Sequence, residues 1–315
     1  MRADLHSHSS VSDGTEPPAI VIRRAAEAGL DAIALTDHDT VAGHREAASA
    51  LPAGLTLVPG AELSCRLEGH SVHMLAYLFD PQNDELAGEM AEIRESRLHR
   101  ARAMVDKLAE LGVPITWEQV SEIASGGVVG RPHIARAMID AGVVSSVDEA
   151  FTPEWIGPGG RAHVSRYALD PARAIRLVRS AGGVTVLAHP RGVSRGWQVP
   201  DEVIAALAAA GLAGIEVNHP QQDEAERRRL SELASSLGLI PSGGSDDHGA
   251  LTGYRIGTEV APDGSYADLI SRATGASPVT GSLAAPPRAP AACSRDRRAG
   301  SVSDRASARP HRRAG

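Results

Sequence analysis

Apolar and polar positions follow two alternating rhythms along the first eighty residues. Short apolar runs, typical of buried strands, begin at the N-terminus and recur at 31–36, 55–64 and 71–78. Helical signals lie between them: Thr15-Glu16-Pro17-Pro18 offers a cap and first-turn prolines, and Gly29 follows the helix. A shorter helix is expected near 40–50. Strands and helices that alternate at this spacing predict parallel βα units.

The pattern changes at about Asp84. Apolar residues such as Leu98, Ala101 and Val105 then recur at spacings of three and four, which is the period of a helix. Shorter helices are predicted near 116–125, 132–142 and 146–151. No strand-like run appears before the 160s, so residues 84–160 are predicted to form an all-helical insertion that caps the substrate site.

The βα rhythm then returns. Strands are predicted at 184–189, 214–219 and 239–244, with helices near 170–182, 200–210 and 223–237. About seven strands in βα register favour an α/β fold closed into a barrel, built from residues 1–83 and 161–281. In such barrels, catalytic groups lie at the C-terminal ends of the strands.

Ionisable side chains collect at those predicted strand ends. His6 and His8 are two residues apart, so they project from the same face of a strand. Asp13 follows in a Ser-Asp-Gly turn, and His38 lies in Thr36-Asp-His-Asp-Thr40 after the second strand. The remaining candidates at or near strand ends are Glu62, His73, His189, Asp246 and His248.

Each of these motifs alone has an ordinary explanation, such as a helix cap or a buried histidine. Together they would bury many ionisable groups, which is costly without cations. Nine oxygen or nitrogen donors exceed what one tetrahedral zinc needs. They predict two or three divalent transition-metal ions bridged by Glu62. Mixed imidazole and carboxylate ligation suits Mn²⁺, Fe²⁺ or Zn²⁺ and does not decide among them, and manganese is the first expectation.

The distribution of charge along the chain argues against one class of function. The net charge is −7, but residues 282–315 carry eight arginines against two aspartates, so the other 281 residues carry about −13. An acidic body argues against non-specific nucleic-acid binding. The Arg/Ala/Pro-rich tail, 282–315, has almost no large apolar residue and is predicted to be disordered.

The two cysteines, Cys65 and Cys293, lie far apart in unlike surroundings. A disulfide framework and a thiolate metal site are therefore not expected. A cytoplasmic location is expected instead. No apolar run reaches the roughly 18 residues of a membrane span, and no signal-peptide pattern opens the chain. No membrane association and no obligate protein partner are indicated.

Several of these motifs resemble those of the PHP (polymerase and histidinol phosphatase) superfamily, in order, over residues 1–281. The matching segments are Asp4-Leu-His-Ser-His8, Ser12-Asp13-Gly14, Thr36-Asp-His-Asp-Thr40, Glu62, Ala188-His189-Pro190 and Ser245-Asp-Asp-His248. The resemblance implies the PHP fold, a distorted seven-stranded (β/α) barrel, with a trinuclear metal centre that hydrolyses phosphoesters.

The resemblance also implies three ligand sets. His6, His8, Glu62 and Asp246 would hold one metal. Asp13, His38 and His248 would hold a second and also serve catalysis, and Glu62, His73 and His189 would hold a third. Many relatives carry His where Asp13 stands, although Asp also occurs there.

The substrate class is implied by Gly130-Arg131-Pro132-His133 in the helical insertion. It resembles the branch that hydrolyses nucleoside 3′,5′-bisphosphates and removes nucleotides from the 5′ end of short RNA. By that likeness Arg131 and His133 would face the substrate phosphate, and the partner would be a small phosphorylated substrate such as a nucleotide or short RNA. His219 is a further candidate contact. Arg94, Arg97 and Arg100 could line the same opening, but a solvated helix face is the preferred interpretation.

Three alternatives compete with this interpretation. Amidohydrolase-type barrels also begin with His-x-His but often use a carbamylated lysine as the bridge, and the only lysine, Lys107, lies in the predicted insertion. A histidinol-phosphate phosphatase of the same fold stays open. A catalytically silent PHP accessory module also stays open, although such a module should lose ligands. The histidines His44, His70, His99, His163 and His311 are not assigned to the site.

Overall fold

Seven strands of the computed structural model form one continuous, nearly closed sheet. The structure describes residues 1–124, 129–165, 167–192 and 197–282. In sheet order the strands are β1 (Ala3–Asp4), β2 (Ala32–Leu35), β3 (Thr56–Leu67), β4 (His70–Tyr77), β5 (Val184–Leu187), β6 (Gly214–Asn218) and β7 (Ile240–Gly243). A short eighth strand, β8 (Val279–Thr280), pairs antiparallel with the start of β3. The predicted α/β barrel is confirmed.

Helices connect the strands at close to the predicted positions. They are α1 (Pro18–Glu27), α2 (His44–Ser49), α3 (Asp84–Glu110), α4 (Trp117–Ile123), α5 (Arg131–Asp140), α6 (Val147–Ala150), α7 (Pro171–Ser180), α8 (Asp201–Ala209), α9 (Glu224–Leu237) and α10 (Ser265–Arg272). Side-chain caps explain several starts: the Asn83 carboxamide accepts from Leu86 N, and Thr116 forms a capping box with Gln119. None of the helices in the described part of the chain has both the length and the apolarity to span a membrane.

Backbone hydrogen bonds join the last strand of the barrel to the first. Leu5 N donates to Gly243 O at 3.1 Å, and Asp246 N donates to His6 O at 2.8 Å. His8 N continues the ladder by donating to Asp247 O at 2.9 Å. The segments that follow β1 and β7 therefore lie side by side. The ionisable residues near the start of the chain thus meet those that follow the last barrel strand.

One strand departs from the predicted parallel arrangement. β3 and β4 form an antiparallel hairpin, and β4 is also antiparallel to β5. The turn has two residues, Glu68 and Gly69, with φ values of 49° and 86°. Two central residues with positive φ are the hairpin geometry that matches strand twist. A two-residue loop cannot hold a crossover helix, so the prediction of uniformly parallel units was wrong here.

Strand alternation builds two apolar layers. On β2, Ala32 and Ala34 point into the cluster that fills the barrel. Ile33 and Leu35 point the other way and pack beneath the helices α1 and α2, against residues such as Val21. This alternation places every second residue of a strand inside the barrel, as the pleat requires.

The long helix α3 contributes to two cores. Its first half, with Leu86, Met90 and Ile93, packs into the cluster shared with barrel strands and α7. Its second half, from Ala101 to Leu108, packs with α4, α5 and α6. The chain from Asp84 to Ala150 thus consists of helices and short connections in its described part, while the exact limits 84–160 and their capping role stay a prediction. Of the predicted tail, residues 283–315 lie outside the described residues.

Candidate metal centre

The second and third strands deliver the central pair of side chains. Past the end of β2, His38 pairs with Glu62 in a parallel bridge, and Asp39 N donates to Glu62 O at 3.1 Å. Glu62 N in turn donates to Thr36 O at 3.0 Å. These bonds hold the Glu62 and His38 side chains next to each other at the mouth of the barrel.

The Glu62 carboxylate lies within contact distance of five imidazoles. Its Oε2 atom is 3.3 Å from His6 Nε2, 3.2 Å from His8 Nε2 and 3.3 Å from His38 Nδ1. Its Oε1 atom is 2.5 Å from His73 Nδ1 and 3.1 Å from His189 Nε2. One carboxylate therefore joins histidines that come from four different parts of the chain.

Two aspartates complete the arrangement. Asp246 Oδ1 lies 3.3 Å from both His6 Nε2 and His8 Nε2, and Asp246 Oδ2 lies 3.2 Å from His219 Nε2. Asp13 lies 3.5 Å from His38 Nε2 and 3.4 Å from His248 Nε2. All nine ligand residues predicted from the sequence thus converge on one place.

The donor atoms fall into groups that partly match the three expected sets. His6, His8, Glu62 and Asp246 offer donor atoms within 4.8 Å of one another. A second group contains the expected Asp13, His38 and His248, with His8 in addition. In the third, Glu62 and His73 are joined by His38, whereas His189 groups with His6 and Glu216.

The donor set fits divalent cations. Four buried ring nitrogens make no hydrogen bond within the described chain: His6 Nε2, His8 Nδ1, His8 Nε2 and His38 Nδ1. Buried polar atoms are almost always satisfied, so several unsatisfied nitrogens that face carboxylates require another partner. Mixed imidazole and carboxylate donors are the ligands of transition metals such as Mn²⁺, Fe²⁺ and Zn²⁺.

The electrostatics of the site favour bound positive charge. Burial would raise the pKa of Glu62, but His73, His38 and His6 hold it well below its usual range. Burial lowers the pKa of His38 to about 4, despite the nearby Asp13 and Glu62. Burial also opposes protonation of His8, yet Asp246 and Glu62 raise its pKa to about 10. Glu62 is thus ionised and His38 neutral at pH 7, as metal ligands are, whereas the raised pKa of His8 reflects the negative charge of Asp246 and Glu62, which a bound cation would offset.

One buried carboxylate at the site was not predicted. Glu216 on β6 is fully buried, and its Oε1 lies 3.0 Å from His6 Nδ1. Its Oε2 accepts from the His189 backbone N at 2.7 Å. The available signal was a lone glutamate inside the apolar strand Gly214-Ile-Glu-Val-Asn, where an ionisable residue is unusual.

A second layer of aspartates holds the loops that carry the ligands. Asp4 accepts from Ser245 N at 2.9 Å and from Gly257 N at 2.9 Å, and burial raises its pKa to about 6 against these bonds. Asp37 accepts from Ser9 N at 2.8 Å, which holds the loop between His8 and Asp13. The first motif and the Thr36–Thr40 motif therefore supply supporting residues as well as donors.

Backbone conformations at the site are uncommon. His189 and Asp246 have φ values of 29° and 49°, in the left-handed region that favours glycine. Asp39, beside His38, has φ of 55°. Such conformations persist where the surrounding contacts determine them, and they concentrate at functional sites.

His133 and Arg131 occupy different surroundings. His133 is buried, and its Nδ1 accepts from Gly130 N at 3.0 Å. Burial lowers its pKa, and the charges of Asp13, Arg97 and His248 also act on it, so His133 lies within electrostatic reach of two candidate ligands. The Arg131 guanidinium lies 4.9 Å above the Phe151 ring, beside a separate cavity. Their roles toward a phosphate stay predictions.

The interpretation of three arginines on α3 as a solvated face was wrong. Arg97 is buried, donates to Ser64 Oγ at 2.6 Å and lies 3.3 Å from Asp39 Oδ2. Arg94 donates to the Asp39 carbonyl, and Arg100 lines the cavity next to Arg131. The face turns toward the β3–β4 hairpin because its charges meet hydroxyl and carboxylate groups there.

The remaining histidines lie in different surroundings. His219, a candidate substrate contact, is fully buried against Asp246. His44 interacts through Nε2 with the Gly60 carbonyl at 2.8 Å, and His70 stacks on Trp197 at 4.4 Å. His99 is exposed. His163 lines the cavity beside Arg131, and His311 lies outside the described residues.

Comparison with known proteins identifies relatives along most of the chain. A model of the PHP domain matches residues 4–114. A 3′,5′-nucleoside bisphosphate phosphatase of Chromobacterium violaceum is 34% identical over 254 residues, 80% of this chain and 89% of the relative. A 5′-3′ exoribonuclease of Haemophilus influenzae is 33% identical over 246 residues, 78% and 89% of the two chains. A Bifidobacterium adolescentis crystal structure, assigned as a metal-dependent phosphoesterase, superposes with a TM-score of 0.80 at 34% identity, covering 86% of this chain and 96% of that one.

Proposed function

This chain belongs to the PHP domain family and is a metal-dependent phosphoesterase, and we propose that it hydrolyses phosphate esters of nucleotides. Nucleoside 3′,5′-bisphosphates are the preferred substrate class in this proposal, with the 5′ ends of short RNA second. The support is the likeness to relatives named for these two activities over about four-fifths of the chain. A cytoplasmic location accords with such substrates.

The observation that carries the catalytic proposal is the contact of Glu62 with five imidazoles. A bridging carboxylate flanked by histidines suits two or three cations held a few ångströms apart. We propose that His6, His8, Glu62 and Asp246 hold one ion, and that Asp13, His38 and His248 hold a second. His73 and His189, which meet Glu62 Oε1, would complete a third position.

Divalent cations in these positions would acidify a water molecule and neutralise charge on the phosphoryl oxygens. The chain's own residues then orient the substrate. Because Gly130 N donates to His133 Nδ1, the neutral His133 ring carries its proton on Nε2. That N–H can donate to a phosphoryl oxygen next to Asp13 and His248.

A phosphate-release screen tests this function. Purified protein with added Mn²⁺ should release phosphate from adenosine 3′,5′-bisphosphate faster than from adenosine 5′-monophosphate or histidinol phosphate. A 5′-phosphorylated short RNA tests the exoribonuclease activity through the release of nucleoside 5′-monophosphates, since cleavage of a phosphodiester frees no inorganic phosphate. Histidinol phosphate tests the alternative within the same fold. Turnover of histidinol phosphate alone would contradict the nucleotide proposal.

Glu62→Gln is the matching active-site variant. The amide keeps the size of the side chain but removes the bridging charge, so we expect kcat to fall about a hundredfold to a thousandfold, the range of a removed transition-state contact. Glu68→Gln in the exposed turn of the same hairpin is the control and should retain activity. Equal activity of Glu62→Gln and wild type would remove Glu62 from the bridging role.

A further inference from the structure

A basic cavity of about 250 Å³ lies beside the β3–β4 hairpin. Arg66, Arg100, Arg131 and His163 line it, and serine hydroxyls and small residues complete its wall. None of the described residues that line it is an aspartate or glutamate. Three guanidinium groups and an imidazole around one small cavity are the donor set of a phosphate site.

The hairpin connects this cavity to the metal centre. Ser64 pairs across the hairpin with His73, a candidate ligand, and the next pair with the same orientation is Arg66 with Ser71. Residues two apart on a strand face the same side and are about 7 Å apart. Arg66 and Ser71 both line the cavity, so it begins one hairpin step from the metal centre.

Two helices make the same connection. On α3, Arg97 contacts Ser64 beside the metal centre, and Arg100 lies three residues further on, on the same helix face. On α5, His133 feels the charges of Asp13 and His248, whereas Arg131 lines the cavity. The hairpin, α3 and α5 therefore each line the cavity and also extend toward the candidate metal centre.

The charge of the cavity contrasts with that of the molecule. Residues 1–281 carry about −13, yet this cavity gathers cations. Burial lowers the pKa of His163, and Arg131, Arg100 and Arg66 lower it further, so all three guanidinium groups lie near the ring. Guanidinium groups gathered around one cavity can donate several charge-assisted hydrogen bonds to the same anion.

We infer that this cavity binds the second phosphate of a substrate whose two phosphates are separated by one ribose. The inference rests on the proposed nucleotide function and assigns the substrate's non-reacting phosphate to Arg66, Arg100 and Arg131. Arg131 is thereby a binding residue for that second phosphate, while the reacting phosphate lies at the metal centre. The cavity selects nucleoside bisphosphates over monophosphates.

The test compares two substrates in matched variants. Arg66→Ala and Arg100→Ala should each raise KM for adenosine 3′,5′-bisphosphate roughly tenfold to a hundredfold, the usual effect of one lost charge-assisted hydrogen bond. Neither variant should change kcat/KM for adenosine 3′- or 5′-monophosphate. Arg66→Lys, which keeps the charge, should restore part of the affinity. Arg136→Ala removes an exposed arginine from α5 and should change neither substrate.

Several outcomes would overturn the inference. An unchanged KM for the bisphosphate would do so, as would equal losses for bisphosphate and monophosphate. A matching rise in KM for a 5′-phosphorylated diadenylate would further support the cavity, because its terminal 5′-phosphate also lies one ribose away from the phosphodiester that is cleaved. If wild type hydrolyses none of these, calorimetric binding of adenosine 3′,5′-bisphosphate to wild type and Arg66→Ala decides independently. Weaker binding to the variant supports the cavity, and equal binding rejects it.

Discussion

Glu216 acts on the metal centre through another side chain. Its carboxylate faces His6 Nδ1 at 3.0 Å and holds the His189 backbone at 2.7 Å. A carboxylate on one ring nitrogen of a histidine fixes the tautomer, so the other nitrogen is available to a metal. His6 Nε2 is therefore directed between Glu62 and Asp246.

We predict that Glu216→Gln weakens metal binding without unfolding the protein. The amide retains one hydrogen bond but removes the charge that orients His6, and loss of such an outer partner typically costs about 10- to 100-fold in metal affinity. Isothermal titration calorimetry with Mn²⁺ measures the change in metal affinity. Glu224→Gln, at an exposed position on α9, is the control. An unaltered Mn²⁺ affinity in Glu216→Gln would disprove the positioning role.

At the scale of elements, the barrel mouth depends on the approach of the β7 and β1 ends. Gly244, directly after β7, leaves no space for a side chain, because a Cβ there would lie 2.4 Å from His6 N. The same contact places Asp246 beside His6 and His8. A missing side chain at one position thus allows two ligand-bearing segments to meet.

Gly244→Ala should therefore destabilise the protein and lower its metal content. Overpacking of this kind costs about 1–3 kcal/mol, and here the clash is with backbone that cannot rotate away. Gly88→Ala on α3 is the matched control, since nothing lies within 4 Å of its Cβ position. That substitution should raise the free energy of unfolding by about 0.5–1 kcal/mol. Chemical denaturation of both variants measures the difference, and equal stabilities would refute the packing argument.

At the scale of the whole molecule, the fold buries many ionisable side chains at one place, and the apolar core around them cannot stabilise their charges. Seven histidines and four carboxylates converge at the barrel mouth, and most of them are buried. A group of this kind is costly to desolvate unless cations compensate it. Metal binding and folding stability are consequently coupled, because ions bind the folded state and not the unfolded chain.

Removal of the metals should lower Tm. A free ion concentration one hundred times the Kd contributes about 2.7 kcal/mol, which corresponds to a shift of roughly 5–10 °C for a chain of this size. Thermal unfolding with and without a chelator, with metal content checked by elemental analysis, measures the shift. The Glu62→Gln variant should respond much less. Identical melting of metal-loaded and metal-free wild type would contradict the coupling.

Much of the fold followed from local pattern. The apolar runs and turn residues located the strands and helices, since burial of a strand or helix face leaves a periodic signature in the sequence. The reversed direction of β4 was missed, although Glu68-Gly69 between two apolar runs was an available hairpin signal. Strand direction depends on the pairing partner, and sequence periodicity carries no information about partners.

The sequence indicated the residues that meet at the candidate site, but not the residues that hold them in place. His6, His8 and Glu62 were conspicuous because ionisable residues at the ends of apolar strands are unusual. Glu216 and Arg97 were missed because their partners, His6 and Asp39, lie far away in sequence, and a single charged residue does not reveal which group it contacts. The basic cavity was missed for the same reason, since Arg66, Arg100 and Arg131 come from a strand and two helices.

The amino-acid sequence by itself determined the donor chemistry and the order of elements, because residue type and period are local properties. Only the tertiary structure decided which donor residues contact the same side chain. It also decided how far the arginines of the basic cavity lie from those donors. Barrel closure sets those distances, through backbone contacts between segments that are more than 200 residues apart.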